Sequence, residues 1–221
     1  AKGTLDGQPA VIAAIEGAFQ GGSMGEVGGA KIAGALELAI EDNRNGIPTC
    51  AVLLLETGGV RLQEANLGLA AIAEIQAAIV ELRTWQPVVG LIAGSVGCFG
   101  GMSIAAGLCS HLLVTREARL GLNGPQVIEQ EAGIGEYDAK DRPFIWSLSG
   151  GEQRHASGLV DGYVADDIDA LRERLLQLLD APSRDRASQH AWFLDRLARL
   201  GDDCPQLDAA AVRALYQGEA Q

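Results

Sequence analysis

Two short stretches combine residue types and spacing that can do chemistry without a reactive side chain. Gly58-Gly59-Val60 lies in ETGGVRLQEAN (Glu56 to Asn66), and Phe99-Gly100-Gly101 closes GSVGCFGG (Gly94 to Gly101). Each follows an apolar run of strand length and precedes a helical pattern, so each turns the chain from a strand end into a helix start. A helix start leaves backbone N–H groups unpaired and carries the positive end of the helix dipole. Two such turns on adjacent strands bring amides of Gly58, Gly59 or Val60 and of Gly100 or Gly101 around one point. Converging amides are what a thioester oxygen needs as it gains charge in an enolate or tetrahedral intermediate. The alternative is that these glycines serve only tight turns and close helix–strand packing.

Other chemistries find less support. No Gly-x-x-x-x-Gly-Lys-Ser/Thr is present and no Gly-x-Gly-x-x-Gly follows the first strand, which disfavours nucleotide binding. Ser95 lacks the Gly-x-Ser-x-Gly elbow and Cys98 has no histidine near it in sequence, so no covalent intermediate is expected. Arg61, Phe99 and Met102 flank the turns; with His155, which follows Gly150-Gly151, they are the candidate substrate-binding side chains. Arg61 and Glu64, three apart at a helix start, read equally as an ordinary ion pair. Glu26 and Lys31 read as structural, and His111 and His190 as surface or packing residues. Cys50, Cys98, Cys109 and Cys204 lie far apart, with no Cys-x-x-Cys and no Cys/His spacing suited to zinc. They read as buried reduced thiols, and no metal is expected.

The elements that must position these turns follow from hydrophobic patterning. Pro9 to Ile15 reads as a strand, followed by a glycine-rich stretch (Gln20 to Gly29) and a helix over Lys31 to Asn43. Cys50 to Glu56 and Pro87 to Ala93 are continuous apolar runs, the pattern of strands covered on both faces. Between them Ile72, Ile75, Ile79 and Leu82 mark a long amphipathic helix over Glu64 to Arg83. A short small-residue helix to Cys109 and a strand at Leu112 to Thr115 complete a repeated strand, glycine turn, helix order. That order predicts an α/β core with right-handed crossovers. Helices near Asp166 to Leu179 and Ser188 to Leu200 follow an acidic loop, and composition never becomes linker-like, so the reading is one domain over 1–221 with a helical part from about 166.

Composition sets the class. The 221 residues are 48% hydrophobic and 21% charged, which suits a sizeable core and excludes disorder. Lys plus Arg at 17 against Asp plus Glu at 29 gives a net charge of −12 with no basic patch, which argues against nucleic acid. No apolar run reaches membrane-spanning length and no export signal opens the chain, so a soluble, cytoplasmic protein with no membrane partner is expected.

GGSMGEVGGAKI (Gly21 to Ile32), ETGGVRLQEAN, GCFGGMS (Gly97 to Ser103) and GPQVIE (Gly124 to Glu129) together resemble the carboxyltransferase subunits of acyl-CoA carboxylases. The likeness is closest to the beta subunits of biotin-independent malonate decarboxylases, which combine these motifs with a later Gly-Gly and an Asp-x-Tyr-Val-x-Asp-Asp segment (Asp161 to Asp167 here). The resemblance implies a crotonase-like spiral of ββα units in which backbone amides at Gly58-Gly59-Val60 and Gly100-Gly101 hold a thioester carbonyl. It further implies a homologous gamma subunit, an acyl carrier protein whose phosphopantetheine-type group carries the malonyl substrate, and a carrier transferase alpha subunit. The implied reaction is decarboxylation of malonyl-carrier to acetyl-carrier and CO2, with no cofactor bound by this chain. Two alternatives stay open: a carboxyltransferase subunit of a biotin-dependent acyl-CoA carboxylase or decarboxylase, and a structural partner of a catalytic homologous subunit. Relatives carry a further segment before the first strand, so that segment is expected to be missing here.

Overall fold

In the computed structural model, which describes residues 1–183, 185–200 and 207–216, the chain opens with a hairpin. Lys2–Leu5 (β1) pairs antiparallel with Gln8–Ala14 (β2) around Asp6 and Gly7, both at positive φ. From β2 onward the strands run parallel: Cys50–Leu54 (β3), Val88–Ile92 (β4), His111–Thr115 (β5) and Gly162–Val164 (β6). The sheet therefore lists its strands in chain order. Glu26–Arg44 (α1), Asn66–Leu82 (α2) and Gly101–Leu108 (α3) make the crossovers from β2 to β3, β3 to β4 and β4 to β5. Pro125–Ala132 (α4), Arg142–Ser149 (α5) and Gly151–Ala156 (α6) fill the long connection to β6, and Ile168–Asp180 (α7), Arg186–Leu200 (α8) and Ala209–Tyr216 (α9) follow.

Between each strand and its helix a single residue makes a second, isolated β contact: Met24 with Val60, Thr57 with Cys98, and Cys98 with Leu120, all parallel. Each repeat is thus a ββα unit whose second β element has shrunk to one bridged residue. This arrangement is the expected spiral.

Continuous apolar runs predict strands buried on both faces, and β3 and β4 are so buried. Ala51 and Leu53 face a core shared with Ile32, Leu36 and Ile40 of α1, Ile72, Ile75 and Ile79 of α2, and Met102 of α3. Val52, Val89 and Leu113 face the other way, onto Leu175 and Leu178 of α7. Fully burying one such side chain contributes about 1.5 to 3 kcal/mol.

Several elements depart from the sequence reading. α1 starts at Glu26 rather than Lys31, because the Glu64 carboxylate accepts the Glu26 N–H at 2.7 Å and so supplies a cap from outside the helix. Gly29 then lies within α1, where its bare α-carbon lets the helix close onto Ala71 of α2. β1, β6, α4, α5, α6 and α9 were not expected. Cys50, Cys98 and Cys109 are buried, and burial pushes the Cys98 thiol up, with Cys109 adding to it. Cys204 lies outside the described residues. Among the described residues no helix is long and apolar enough to cross a membrane, and no group of three His, Cys, Asp or Glu is placed to hold a metal ion.

Candidate active site

The turn after β3 and the turn after β4 are laced together by backbone hydrogen bonds. Thr57 N–H donates to the Gly97 carbonyl at 2.7 Å, and Phe99 N–H donates back to the Thr57 carbonyl at 3.0 Å. Gly59 sits at φ 102° with the Phe99 carbonyl oxygen 2.9 Å from where a β-carbon would stand. Gly100 sits at φ 59°, and a β-carbon there would meet the Gly59 α-carbon at 3.3 Å. Only glycine accepts both the positive φ and this backbone-on-backbone approach.

A complete account of the amides at this contact narrows the five candidates. Gly58 N–H donates to the Gly21 carbonyl at 2.8 Å, Gly59 N–H to Thr57 Oγ1 at 3.1 Å, and Gly100 N–H to the Leu122 carbonyl at 2.7 Å. These three amides already have acceptors within the chain. Val60 and Gly101 N–H make no hydrogen bond among the described residues. Both residues are half-buried, and Gly101 is the first residue of α3, so its amide stands at the positive end of that helix.

Arg61 builds the rim of the first turn. Its N–H donates to the Met24 carbonyl at 2.8 Å, and its guanidinium donates to the Ser23 carbonyl (2.9 Å), Ser23 Oγ (3.2 Å) and Glu64 Oε1 (2.8 Å). The same guanidinium lies 5.7 Å from the centre of the Phe19 ring. With its donors turned onto the chain itself, Arg61 staples the segment before α1 to the turn. Glu64 completes the staple; the Glu26 amide and then Arg61 hold its carboxyl below the usual carboxylate range.

The remaining substrate-binding candidates are Met102, Phe99 and His155. Met102 is fully buried in the main core, and Phe99 is 5% exposed with its ring against Arg119, so neither side chain offers a surface to a substrate. Their apolar character had the simpler meaning of anchoring the start of α3. His155 is exposed on α6 and stacks on Tyr163, with ring centres 6.1 Å apart and no described contact to either turn. His111 is buried at the start of β5, and His190 is exposed on α8.

Three contributors were missed. Thr57 is fully buried and its hydroxyl takes the Gly59 amide out of play; its position at the turn's entrance was a usable signal. Leu122 commits Gly100, and Arg154 donates to the Leu120 carbonyl at 2.8 Å from the wall of a cavity of about 280 Å³ that also includes Ser103 and Leu122. Burial lowers the Arg154 pKa from its ordinary value, opposed by the Tyr137 hydroxyl. No motif marks Leu122 or Arg154 in the sequence.

The model of the carboxyl transferase domain matches residues 1–191. A relative from Malonomonas rubra, a malonyl-S-ACP:biotin-protein carboxyltransferase, is 38% identical over 190 residues, 81% of this chain and 60% of that protein. This chain therefore spans about three fifths of that relative's length. In the crystal structure of a Pseudomonas malonate decarboxylase hetero-tetramer in complex with malonate, one chain is 73% identical and superposes with a TM-score of 0.93, covering 97% of this chain and 78% of its own length. The transcarboxylase 12S core, solved with methylmalonyl-coenzyme A and methylmalonic acid bound, superposes with a TM-score of 0.69 at 29% identity over 82% of this chain and 33% of that one. The spiral is that of crotonase-like carboxyltransferases. With a family match running from the opening hairpin into α8, this chain belongs to the carboxyl transferase domain family.

Proposed function

We propose that this chain is the beta-type subunit of a cytoplasmic malonyl-S-acyl-carrier-protein decarboxylase, a carboxy-lyase. The observation that carries the proposal is the pair of uncommitted amides, Val60 N–H and Gly101 N–H, at the contact of two laced glycine turns. The bond between the malonyl carboxylate and the methylene carbon breaks, its electron pair passes into an enolate, and CO2 leaves. Negative charge then lies on the thioester oxygen, where the two amides bind it more tightly than the neutral carbonyl of the substrate. A proton on the methylene carbon completes acetyl-carrier. A site that keeps water from the departing carboxylate favours its conversion to neutral CO2.

The similarity to one chain of a malonate decarboxylase hetero-tetramer supports a homologous gamma-type partner subunit. The malonyl-S-ACP named for the Malonomonas rubra relative supports a substrate carried on the phosphopantetheine-type group of an acyl carrier protein, loaded by a separate alpha-type transferase. In this reading the chain is one domain with its helical part beginning near 166, and it binds no cofactor of its own.

The same relative's name favours a second reading, transfer of the carboxyl group to a biotin protein through the same amides. The deciding experiment is CO2 release from a malonyl thioester by the complex purified with this chain, after avidin treatment. Avidin-insensitive release supports direct decarboxylation; release abolished by avidin moves the assignment to biotin-dependent carboxyl transfer.

A further inference from the structure

The segment joining β4 to the second turn is short of regular structure, with Gly94, Gly97 and Gly100 all at positive φ. Glycine-rich backbone of this kind has much freedom to lose, so an amide at its end is positioned only if the segment is pinned. Arg119, which follows β5, does much of that pinning. Its carbonyl accepts the Cys98 N–H at 2.8 Å, and its guanidinium donates to the Ser95 carbonyl at 2.5 Å and the Val96 carbonyl at 3.1 Å. The guanidinium carbon lies 5.5 Å from the centre of the Phe99 ring and 4.6 Å from that of Trp146, on α5. A β-carbon at Gly97 would strike the Arg119 carbonyl at 2.5 Å, so the fit depends on glycine there.

This half-buried guanidinium makes no ion pair among the described residues; its partners are two carbonyls and two aromatic faces. Among the described residues its buried Nε has no acceptor, and neither has the buried Nε1 of Trp146. Contact with two aromatic faces at once suits the flat, delocalised cation of arginine and not the compact ammonium of lysine.

We propose that Arg119, held against Phe99 and Trp146, is the positioning residue for the Gly101 amide and makes α5 a support of the oxyanion site. The proposal rests on the decarboxylase reading for its kinetic consequence and on the geometry alone for its mechanical one. Two measurements on the assembled complex separate them. In the first, Arg119→Ala, Arg119→Lys and Trp146→Leu each lower kcat for CO2 release by at least about tenfold while KM for the malonyl thioester stays within about twofold, because a misplaced donor weakens transition-state binding selectively. Arg116→Gln, a change at the neighbouring exposed arginine, leaves both constants unchanged. In the second, amide hydrogen exchange rises locally over residues 94–101 in Arg119→Ala and Trp146→Leu, with α1 and α2 protected as before. Wild-type-like exchange over 94–101 in these variants overturns the proposal whether or not the complex turns over. An active wild type whose Arg119 variants keep kcat, or lose only KM, overturns it as well. A wild-type complex that releases no CO2 while the local exchange rises as expected upholds the clamp and sinks the decarboxylase reading instead.

Discussion

A β-carbon on Gly100 would stand 3.8 Å from the amide nitrogen of Val60. The second glycine turn therefore leaves room beside an amide that belongs to the first, and the absence of a side chain at 100 is part of the donor pair. Gly100→Ala adds a methyl group at that point and forces a non-glycine residue to φ 59°. Blocking one donor of an oxyanion pair costs about 2.7 to 4 kcal/mol of barrier, so kcat for CO2 release falls about a hundredfold to a thousandfold. Steady-state kinetics on the assembled complex measure it; a loss under about fivefold shows that the Val60 amide is not used.

Gly101→Pro removes the second donor directly. Proline is tolerated at the first residue of a helix, so α3 and the complex form, while CO2 release falls by a factor in the same range of about a hundred to a thousand. Gly101→Ala is the companion variant, since it keeps the N–H and its methyl group meets the side chain of Ile72, nearest at Cγ2 (3.2 Å) and Cδ1 (3.3 Å). Loss in the proline variant with retention in the alanine variant assigns the effect to the amide.

Thr57→Val keeps the shape of a fully buried side chain but strands the Gly59 N–H without its acceptor. An unsatisfied buried donor costs about 1 to 3 kcal/mol. Urea denaturation of the variant is expected to show a lower midpoint at an unchanged slope.

The Glu64 carboxyl ties acid pH to the rim of the first turn. Its pKa is held down in the folded chain by the Glu26 amide and by Arg61, so its contribution is fully present above the ordinary glutamate value of about 4.3 and is lost as pH falls through the lower folded value. Glu64→Gln is expected to lower stability at neutral pH and to flatten the acid limb of the stability profile. Thermal melts of wild type and variant from neutral pH down to about 3 test this, and parallel acid limbs would count against it.

Legibility from sequence followed how local each constraint was. β3 and β4 were readable because strands covered on both faces become unbroken apolar runs. β1 was hidden because KGTL is a mostly exposed edge strand, and β6 because three residues are too few to show a period. The two turns stood out as glycine clusters after those runs. Which amide stays open did not, because two of the three acceptors that consume the others, Gly21 and Leu122, come from distant parts of the chain, and only Thr57 is local. Met102, Ala105 and Ala106 share helical spacing and a common burial, a core pattern readable in the sequence that outweighed Met102's place beside the turn. Arg119 and Trp146 meet only through the fold.

Strand order that matches chain order also bears on how the molecule is built in time. Each parallel strand pairs with the strand of the unit just before it, so the sheet can grow by adding one ββα unit to an existing edge, without waiting for a distant segment. Contacts between successive units keep loop closure short and favour rapid assembly. Val60 and Gly101 belong to consecutive units, so the donor pair comes into being when the unit carrying β4 and α3 docks, before β6 and α7 have joined. The clamp from Arg119 and α5 arrives later in the chain, fastening a pair of amides that the growing spiral has already brought together.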